Sequence, residues 1–295
     1  DHNPLKRWPG HRPAHASCHE PHATRASPRG PRYEYAPMSL PDSITIARLE
    51  ESRLARVLAE VAPHAAPCAG GILVRARPGL WMNKAVGLGM NGPVAPEAVE
   101  ALIEFFSSAG IEPRIEVSPY ADPTLLDALA AHGFVVRRFA TTMVYDLTAG
   151  APTGEALQAP PGVEFLTVEP GDEAGVATFA RTGAAGFLAP GQNPAPEDLP
   201  VWIRTTRTPG ATCLLTLADG EPAGAGVVEV SGPYATLFAQ SVLPAFRRRG
   251  IQLASIARRL AIAARQGAHF ATLSSEPAGP TERNAWRAGF HAAFS

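Results

Sequence analysis

The pattern of apolar and polar positions switches between helical and strand periods along most of the chain. From Ser43, "ITIARLEESRLARVLAEVA" sets Leu49, Leu54, Val57 and Leu58 near helical spacing and predicts an amphipathic helix. "GGILVRARPGLWMNKAVGLGM" predicts two short strands joined by a turn at Pro78-Gly79. "APEAVEALIEFFSSAG" carries a stripe of Val99, Leu102, Ile103 and Phe106 and ends at Gly110, a helix with a C-terminal glycine cap. "IEPRIEVSP" alternates and predicts a strand. "DPTLLDALAAHGF" predicts a short helix with Asp122 as N-cap, Pro123 in the first turn and Gly133 at the end. "VVRRFATTMVYDL" predicts a long strand.

A second series begins after "TAGAPTGEALQAPPG", which has the composition of a linker. "VEFLTVEP" predicts a strand, "DEAGVATFARTGAAGF" a helix and "EDLPVWIRTT" a shorter one. "ATCLLTLADGEPAGAGVVEVSGPYATLFAQSVL" predicts three strands with turns at Ala218-Asp219-Gly220 and Ser231-Gly232-Pro233. A helix from Ile251 to Gln266, a strand in "HFATLSS" and a short helix in "GPTERNAWRAGF" follow. Each series ends in the order strand, loop, long helix, glycine, strand, short helix, Gly-Phe. Duplication of a mixed α/β unit explains this order.

The expected organisation is a tail at 1–37, a first domain at 43–149, a linker at 150–162 and a second domain at 163–295. The tail is dense in Pro, His and Arg and nearly free of aliphatic residues, so disorder is expected there. The first methionine is Met38, which suggests that the tail is upstream sequence included through a misassigned start. His11, His15, Cys18, His19 and His22 invite a metal reading of the tail. Metal sites need ligands held by structure, and a solvated tail is the simpler reading, so no metal is expected.

Composition adds bounds. The chain has 295 residues, enough for one large or two ordinary domains, and its 45% hydrophobic content supports a real core. The net charge of −1 argues against a protein that coats nucleic acid. Three cysteines with wide spacing and no CxxC pair suit reduced thiols and a cytoplasmic setting. No apolar run reaches the roughly 18–20 residues of a membrane helix, so no membrane partner is expected.

The most informative stretch is "SVLPAFRRRGIQLASIARRLAIAA". A helix N-terminus leaves its first N–H groups unpaired and carries partial positive charge. Placed after a strand, with Gly250 where the backbone must approach a ligand, it makes an anion site. Arg247, Arg248 and Arg249 would add charge-assisted contacts to phosphate, and a pyrophosphate would fill such a cradle. Arginines at this end of a helix oppose its dipole unless an anion is present, although solvated surface arginines are the plain alternative. Neither GxxxxGK[ST] nor GxGxxG occurs.

"LPAFRRRGI" and the "RAGF" ending, in this order of elements, resemble the GNAT acyltransferase superfamily from about Val163 onward. The family loop is (Arg/Gln)-x-x-Gly-x-(Gly/Ala): Arg247 and Gly250 match, and Gln252 stands where Gly or Ala is usual. The resemblance implies an α+β fold of two tandem GNAT-like domains, each a mixed, mostly antiparallel sheet flanked by helices. It implies acetyl-CoA as donor, its pyrophosphate on the backbone from Arg248 through Ile251 and Gln252 to Leu253. Ser241, Val242 and Leu243 would pair by backbone with the pantetheine arm like an added strand. In the first half the equivalent loop, "GMNGPVAPE", lacks arginine; Pro93 removes an amide and Glu97 adds negative charge, so that half reads as a domain without coenzyme binding.

Transfer to an amine needs a base, a polarised carbonyl and a proton for the leaving thiol. Many family members use a Glu on the central strands as base and a Tyr on the last helix as acid. Here the strand offers Gln240, and Ala285 holds the Tyr position. Glu276 is the candidate base, with a solvated loop carboxylate as the alternative; Glu229, near the end of a strand, is a further candidate, with an edge-strand surface charge as the alternative; His269 reads as structural and Cys213 as core. Thr281 and Asn284 could contact the pantetheine or thiol. Phe187, Leu188 and Trp202 would line an apolar acceptor pocket suited to a small amine. The five residues after Phe290, "HAAFS", read as a truncated strand that leaves the sheet edge incomplete. The expected function is acetyl transfer from acetyl-CoA to a small-molecule amine. The alternative is a non-catalytic acyl-CoA-binding sensor or scaffold. A phosphate-mediated nucleic-acid reading is opposed by the near-neutral charge.

Overall fold

Seven strands form the main sheet, in the order β10-β4-β9-β8-β7-β6-β5. The computed structural model describes residues 40–295, so the tail, its five candidate metal ligands and Met38 lie outside the described residues. The strands are β4 (Thr141–Asp146), β5 (Val163–Thr167), β6 (Ala211–Ala218), β7 (Glu221–Ser231), β8 (Tyr234–Val242), β9 (Phe270–Ser275) and β10 (His291–Phe294). Neighbours are antiparallel except β8 and β9, which run parallel. Helices α6 (Ile251–Arg265) and α7 (Pro280–Ala288) cover one face. Leu237, Ile256, Leu260, Leu273 and Phe290 are buried between them and the sheet, each contributing about 1.5–3 kcal/mol by burial. Helices α4 (Glu173–Ala185) and α5 (Leu199–Thr205) cover the other face, where Val176, Phe179 and Trp202 pack on Cys213 and Val227. This is the expected α+β class, a mixed sheet flanked by helices.

The first half builds a smaller antiparallel sheet, β1 (His64–Cys68), β2 (Gly71–Arg75) and β3 (Lys84–Val86). Helices α2 (Pro96–Ser107) and α3 (Pro123–Ala131) pack on it through Leu102, Phe106 and Leu125. Asp122 caps α3 by accepting from Thr124 N at 3.0 Å, as its position in the sequence predicts.

Two elements tie the halves together. Strand β4 inserts between β9 and β10, pairing with both. The short strand at 291–294 therefore does not leave the sheet short of a neighbour, contrary to the sequence expectation: the first half supplies one. Helix α1 (Ser43–Val61) buries two sides. Leu54 and Leu58 face Val74 and Val86 of the small sheet, while Ile46 packs on Val144, Tyr234 and Phe270 of the large one. The expected stripe is thus incomplete: Leu49 is exposed, and Glu50 is buried in line with Ile46 and Val57.

Two predicted strands are corrected. "IEPRIEVSP" makes only a single parallel bridge, Ile115 to Ala85. Pro113 and Pro119 cannot donate to a ladder, which limits the run. Of "VVRRFATTMVYDL" only 141–146 is strand; Val135, Val136 and Phe139 are exposed and unladdered. Strand β1 had no apolar alternation to announce it.

Candidate functional site

Strands β8 and β9 pair only at Tyr234–Phe270, Ala235–Ala271 and Thr236–Thr272. Beyond Thr236 they part, and β8 runs on to Val242 with its β9 edge outside any ladder. On its other edge β8 stays bonded to β7, but with one extra residue: Ala225 faces Ser241 while Val227 faces Phe238. This is a β-bulge, and Ala239 sits in it at φ 49°, a conformation that costs an L-residue about 1–2 kcal/mol.

The bulge is held from below by Arg259. This guanidinium is 1% exposed and donates to Val227 O (3.0 Å), Phe238 O (3.4 Å) and Gln240 Oε1, with no carboxylate beside it among the described residues. Burial pushes it down to about 9, which leaves it charged at neutral pH. Gln240 in turn donates Nε2 to Gln252 O at 3.3 Å, joining the bulge to the first turn of α6. Gln240 thus faces α6 and serves as a strut, not as a stand-in for a base on the central strand.

The loop from β8 into α6 turns through two left-handed residues, Arg248 at φ 64° and Gly250 at φ 77°. Gly250 is the N-cap and offers no side chain to the helix. Among the described residues, the backbone N–H groups of Arg248, Arg249, Gly250, Ile251, Gln252 and Leu253 have no hydrogen-bond acceptor. Consecutive N–H groups turned through left-handed positions form an anion-binding nest, here reinforced by the helix dipole.

The three arginines divide their work. Arg247 donates Nε to Val242 O and NH2 to Gly186 O, both at 3.0 Å, so it fastens the loop to the end of α4. Arg249 pairs with Asp219 at 2.8 Å and lies over the Phe246 ring. Arg248 has no ion-pair partner among the described residues. The side chains expected to embrace phosphate together are therefore mostly committed to the protein.

Gln252 reaches across to α7. Its Nε2 donates to Thr281 Oγ1 at 2.9 Å, and its Oε1 accepts from Asn284 Nδ2 at 2.7 Å. The structure thus brings Gln252, Thr281 and Asn284 together beside the nest. Ser241 is buried; its Oγ donates to Gly183 O at 2.9 Å. The backbone of Ser241, Val242 and Leu243 bonds to β7 at Ala225, Gly224 and Ala223. Glu276 is exposed beyond the end of β9, 3.4 Å from Arg138. Ala285, where a Tyr was expected, is fully buried against the core.

On the opposite face, Phe187 and Trp202 meet at 6.0 Å between ring centres, and Trp202 meets Phe179 at 5.8 Å. Glu229 does not lie at an edge: it is 2% exposed in the middle of the sheet, paired with Arg53 (3.5 Å) and Arg56 of α1. Sequence reasoning missed this pairing. The signal was present as the line Ile46, Glu50, Arg53, Val57, which has helical spacing and two charged members.

The loop of the first half is chemically different. Gly87 N donates to Glu51 at 2.8 Å, Gly89 N to Ala69 O at 3.1 Å and Val94 N to Thr124 Oγ1 at 2.8 Å. Two of its amides, Gly89 and Val94, are therefore used, and prolines remove two more at Pro93 and Pro96, whereas the N–H groups of Met90, Asn91 and Gly92 have no acceptor among the described residues. A shallow groove of about 560 Å³ also lies between the 150–162 segment and the outer flank of α6, near Ala254 and Arg258, away from the splay. No group of three or more His, Cys, Asp or Glu residues fit to hold a metal occurs among the described residues, and no described helix is long and apolar enough to cross a membrane.

No protein-family model matches the sequence, and no curated protein resembles it in sequence. Solved structures do. A GCN5-related N-acetyltransferase from Kribbella flavida is 20% identical, with a TM-score of 0.58 over 85% of this chain and 92% of that one. A functionally unknown conserved protein from Staphylococcus epidermidis is 12% identical, with a TM-score of 0.50 over 77% and 88%. The first likeness extends across both halves. The chain has the fold of the GCN5-related N-acetyltransferases.

Proposed function

We propose that this protein is an acyltransferase that moves an acetyl group from acetyl-CoA to the amine of a small molecule, within the second half. The observation that carries this reading is the row of unpaired N–H groups from Arg248 to Leu253 beside the open edge of β8. A pyrophosphate fits the nest, and an extended pantetheine arm fits the edge, where its amides would continue the sheet. Thr281 and Asn284 stand at the α6–α7 side of the same slot. The first-half loop has no arginine, loses amides at Pro93 and Pro96 and uses those of Gly89 and Val94 internally, which supports reading 43–149 as a GNAT-like unit without coenzyme binding and 163–295 as the working one.

The aromatic group of Phe187 and Trp202 lies by the end of α4, which Arg247 ties to the nest. It supports an acceptor with an apolar body. The chain supplies positioning and a developing-charge environment, and much of the acceleration follows from proximity.

A second reading, an acyl-CoA-binding sensor or scaffold, is favoured by one observation: Gln252 fills the family's small-residue position and spans to α7. Calorimetric titration of the full chain with acetyl-CoA, followed by thiol release against a panel of primary amines, separates the two. Micromolar binding with amine-dependent release supports transfer. Binding without release by any amine supports the sensor. No binding sinks both.

A further inference from the structure

The point where β8 and β9 part carries a carboxylate that neither strand supplies. Glu229, Thr236 and Thr272 form a row across β7, β8 and β9. Thr236 and Thr272 alternate with Ala235, Leu237, Ala271 and Leu273, which pack toward α6, so this row lies on the opposite face. Helix α1 crosses that face. Its Glu50 accepts through Oε1 from Thr236 Oγ1 at 3.3 Å and from Thr272 Oγ1, and through Oε2 from Arg53 Nε at 3.2 Å. Thr236 and Thr272 are the last paired residues before the splay. A chain inserted in the slot from the α6 side therefore ends beside Glu50.

We propose that Glu50 is the proton acceptor for the incoming amine, so that a helix of the first half completes the site of the second. The inference rests on the acetyl-CoA reading above. Of the two buried carboxylates on this face, Glu229 is enclosed by Arg53 and Arg56 and is 2% exposed, whereas the Glu50 side chain keeps 12% of its surface open. The groups facing Glu50 are Arg53 and Glu51 of its own helix, Tyr234 of β8 and, through Arg53, Glu229 of β7. Tyr234 donates or accepts at Thr272 Oγ1 (3.1 Å), and burial holds its hydroxyl well above the usual range, so it stays neutral.

The proton balance closes without another reactant. Glu50 takes one proton from the ammonium of the acceptor and releases it to solvent. The neutral nitrogen attacks the thioester carbonyl carbon; a C–N bond forms and the C–S bond breaks. The second nitrogen proton leaves with the thiolate sulfur as free thiol.

The test compares two nucleophiles in wild type, Glu50→Gln and Thr236→Val. Tyramine is an ammonium at neutral pH and has an aromatic body; hydroxylamine is already neutral and needs no base. Thiol release from acetyl-CoA is measured with each, together with acetyl-CoA affinity by calorimetry. The expected result for Glu50→Gln is a roughly 100-fold loss with tyramine, with hydroxylamine rate and acetyl-CoA affinity within about threefold of wild type. Thr236→Val, which removes one hydroxyl from Glu50 without touching the helix, lowers the tyramine rate alone by about tenfold. An equal fall with both nucleophiles, no fall with either, or a wild type that binds acetyl-CoA yet transfers to neither amine overturns the assignment. Failure of the wild type to bind acetyl-CoA overturns the donor reading instead, and is seen in the affinity measurement alone.

Discussion

Gly250 is where one side chain separates the cradle from the rest of the fold. It sits at φ 77°, and an added Cβ would lie 3.4 Å from Pro160 Cγ. Gly250→Ala therefore introduces backbone strain of about 1–2 kcal/mol and a tight contact, but no charge. Gly250→Glu introduces the same strain with a carboxylate at the N-terminus of α6. In the free protein that charge is favoured by the helix dipole, by about 0.3–1 kcal/mol, so the Glu variant should be at least as stable as the Ala variant. Binding reverses the order. One carboxylate near a pyrophosphate faces two negative charges, at about 1 kcal/mol per pair in water and about 4 kcal/mol at an effective dielectric constant of 20. A loss of at least about 2 kcal/mol, or roughly 30-fold in acetyl-CoA affinity, is expected of Gly250→Glu relative to Gly250→Ala. Urea unfolding measures the first comparison and calorimetry the second. Equal affinities in the two variants, with both folded, would refute the placement of the pyrophosphate on this turn.

Other predictions concern groups whose environment is fixed by the fold. Arg259→Met leaves the Gln240 side-chain oxygen without its donor and removes the donors shared by Val227 O and Phe238 O, and should cost about 2–4 kcal/mol in urea unfolding; a cost below about 1 kcal/mol would show that the bulge does not depend on it. Burial and the nearby Glu116 raise the Glu51 carboxyl to about 7. Its folded form holds the proton more tightly than its unfolded form, so stability is greatest below about 4.5 and falls as pH rises through 7, by on the order of 3 kcal/mol. Glu51→Gln should flatten that slope in pH-dependent unfolding, and an unchanged slope would contradict the reasoning. Burial pushes the Cys213 thiol up to about 12, so it should resist maleimide at pH 8 until denaturant is added; rapid labelling of the native protein there would be inconsistent with its place under Phe179 and Val227.

Local chemistry was legible in the sequence, and non-local pairing was not. The arginines, Gly250 and the apolar stripe of α6 announced a strand-to-helix anion turn, because each signal lies within a few residues. The turn at Asp219-Gly220 and the cap at Asp122 were legible for the same reason. The bulge at Ala239 had no signal, since alanine there gives no hint of a positive φ. The insertion of β4 between β9 and β10 depends on pairing Thr141 with Ser275, which periodicity cannot show. Helix α1 misled by having two buried sides: an apolar stripe toward the small sheet hid a polar one toward the large sheet. Glu276 was reachable by position after β9 but lies exposed beside Arg138, while Glu50, far upstream, reaches the vertex of the splay.

The most direct measurement is amide hydrogen exchange of the full chain with and without CoA. Protection is expected in peptides covering Arg248–Leu253 and the open edge of β8 from Leu237 to Val242, with no change at 87–97 in the first-half loop. Protection confined to the first half, or to the groove between the 150–162 segment and α6, would contradict that expectation.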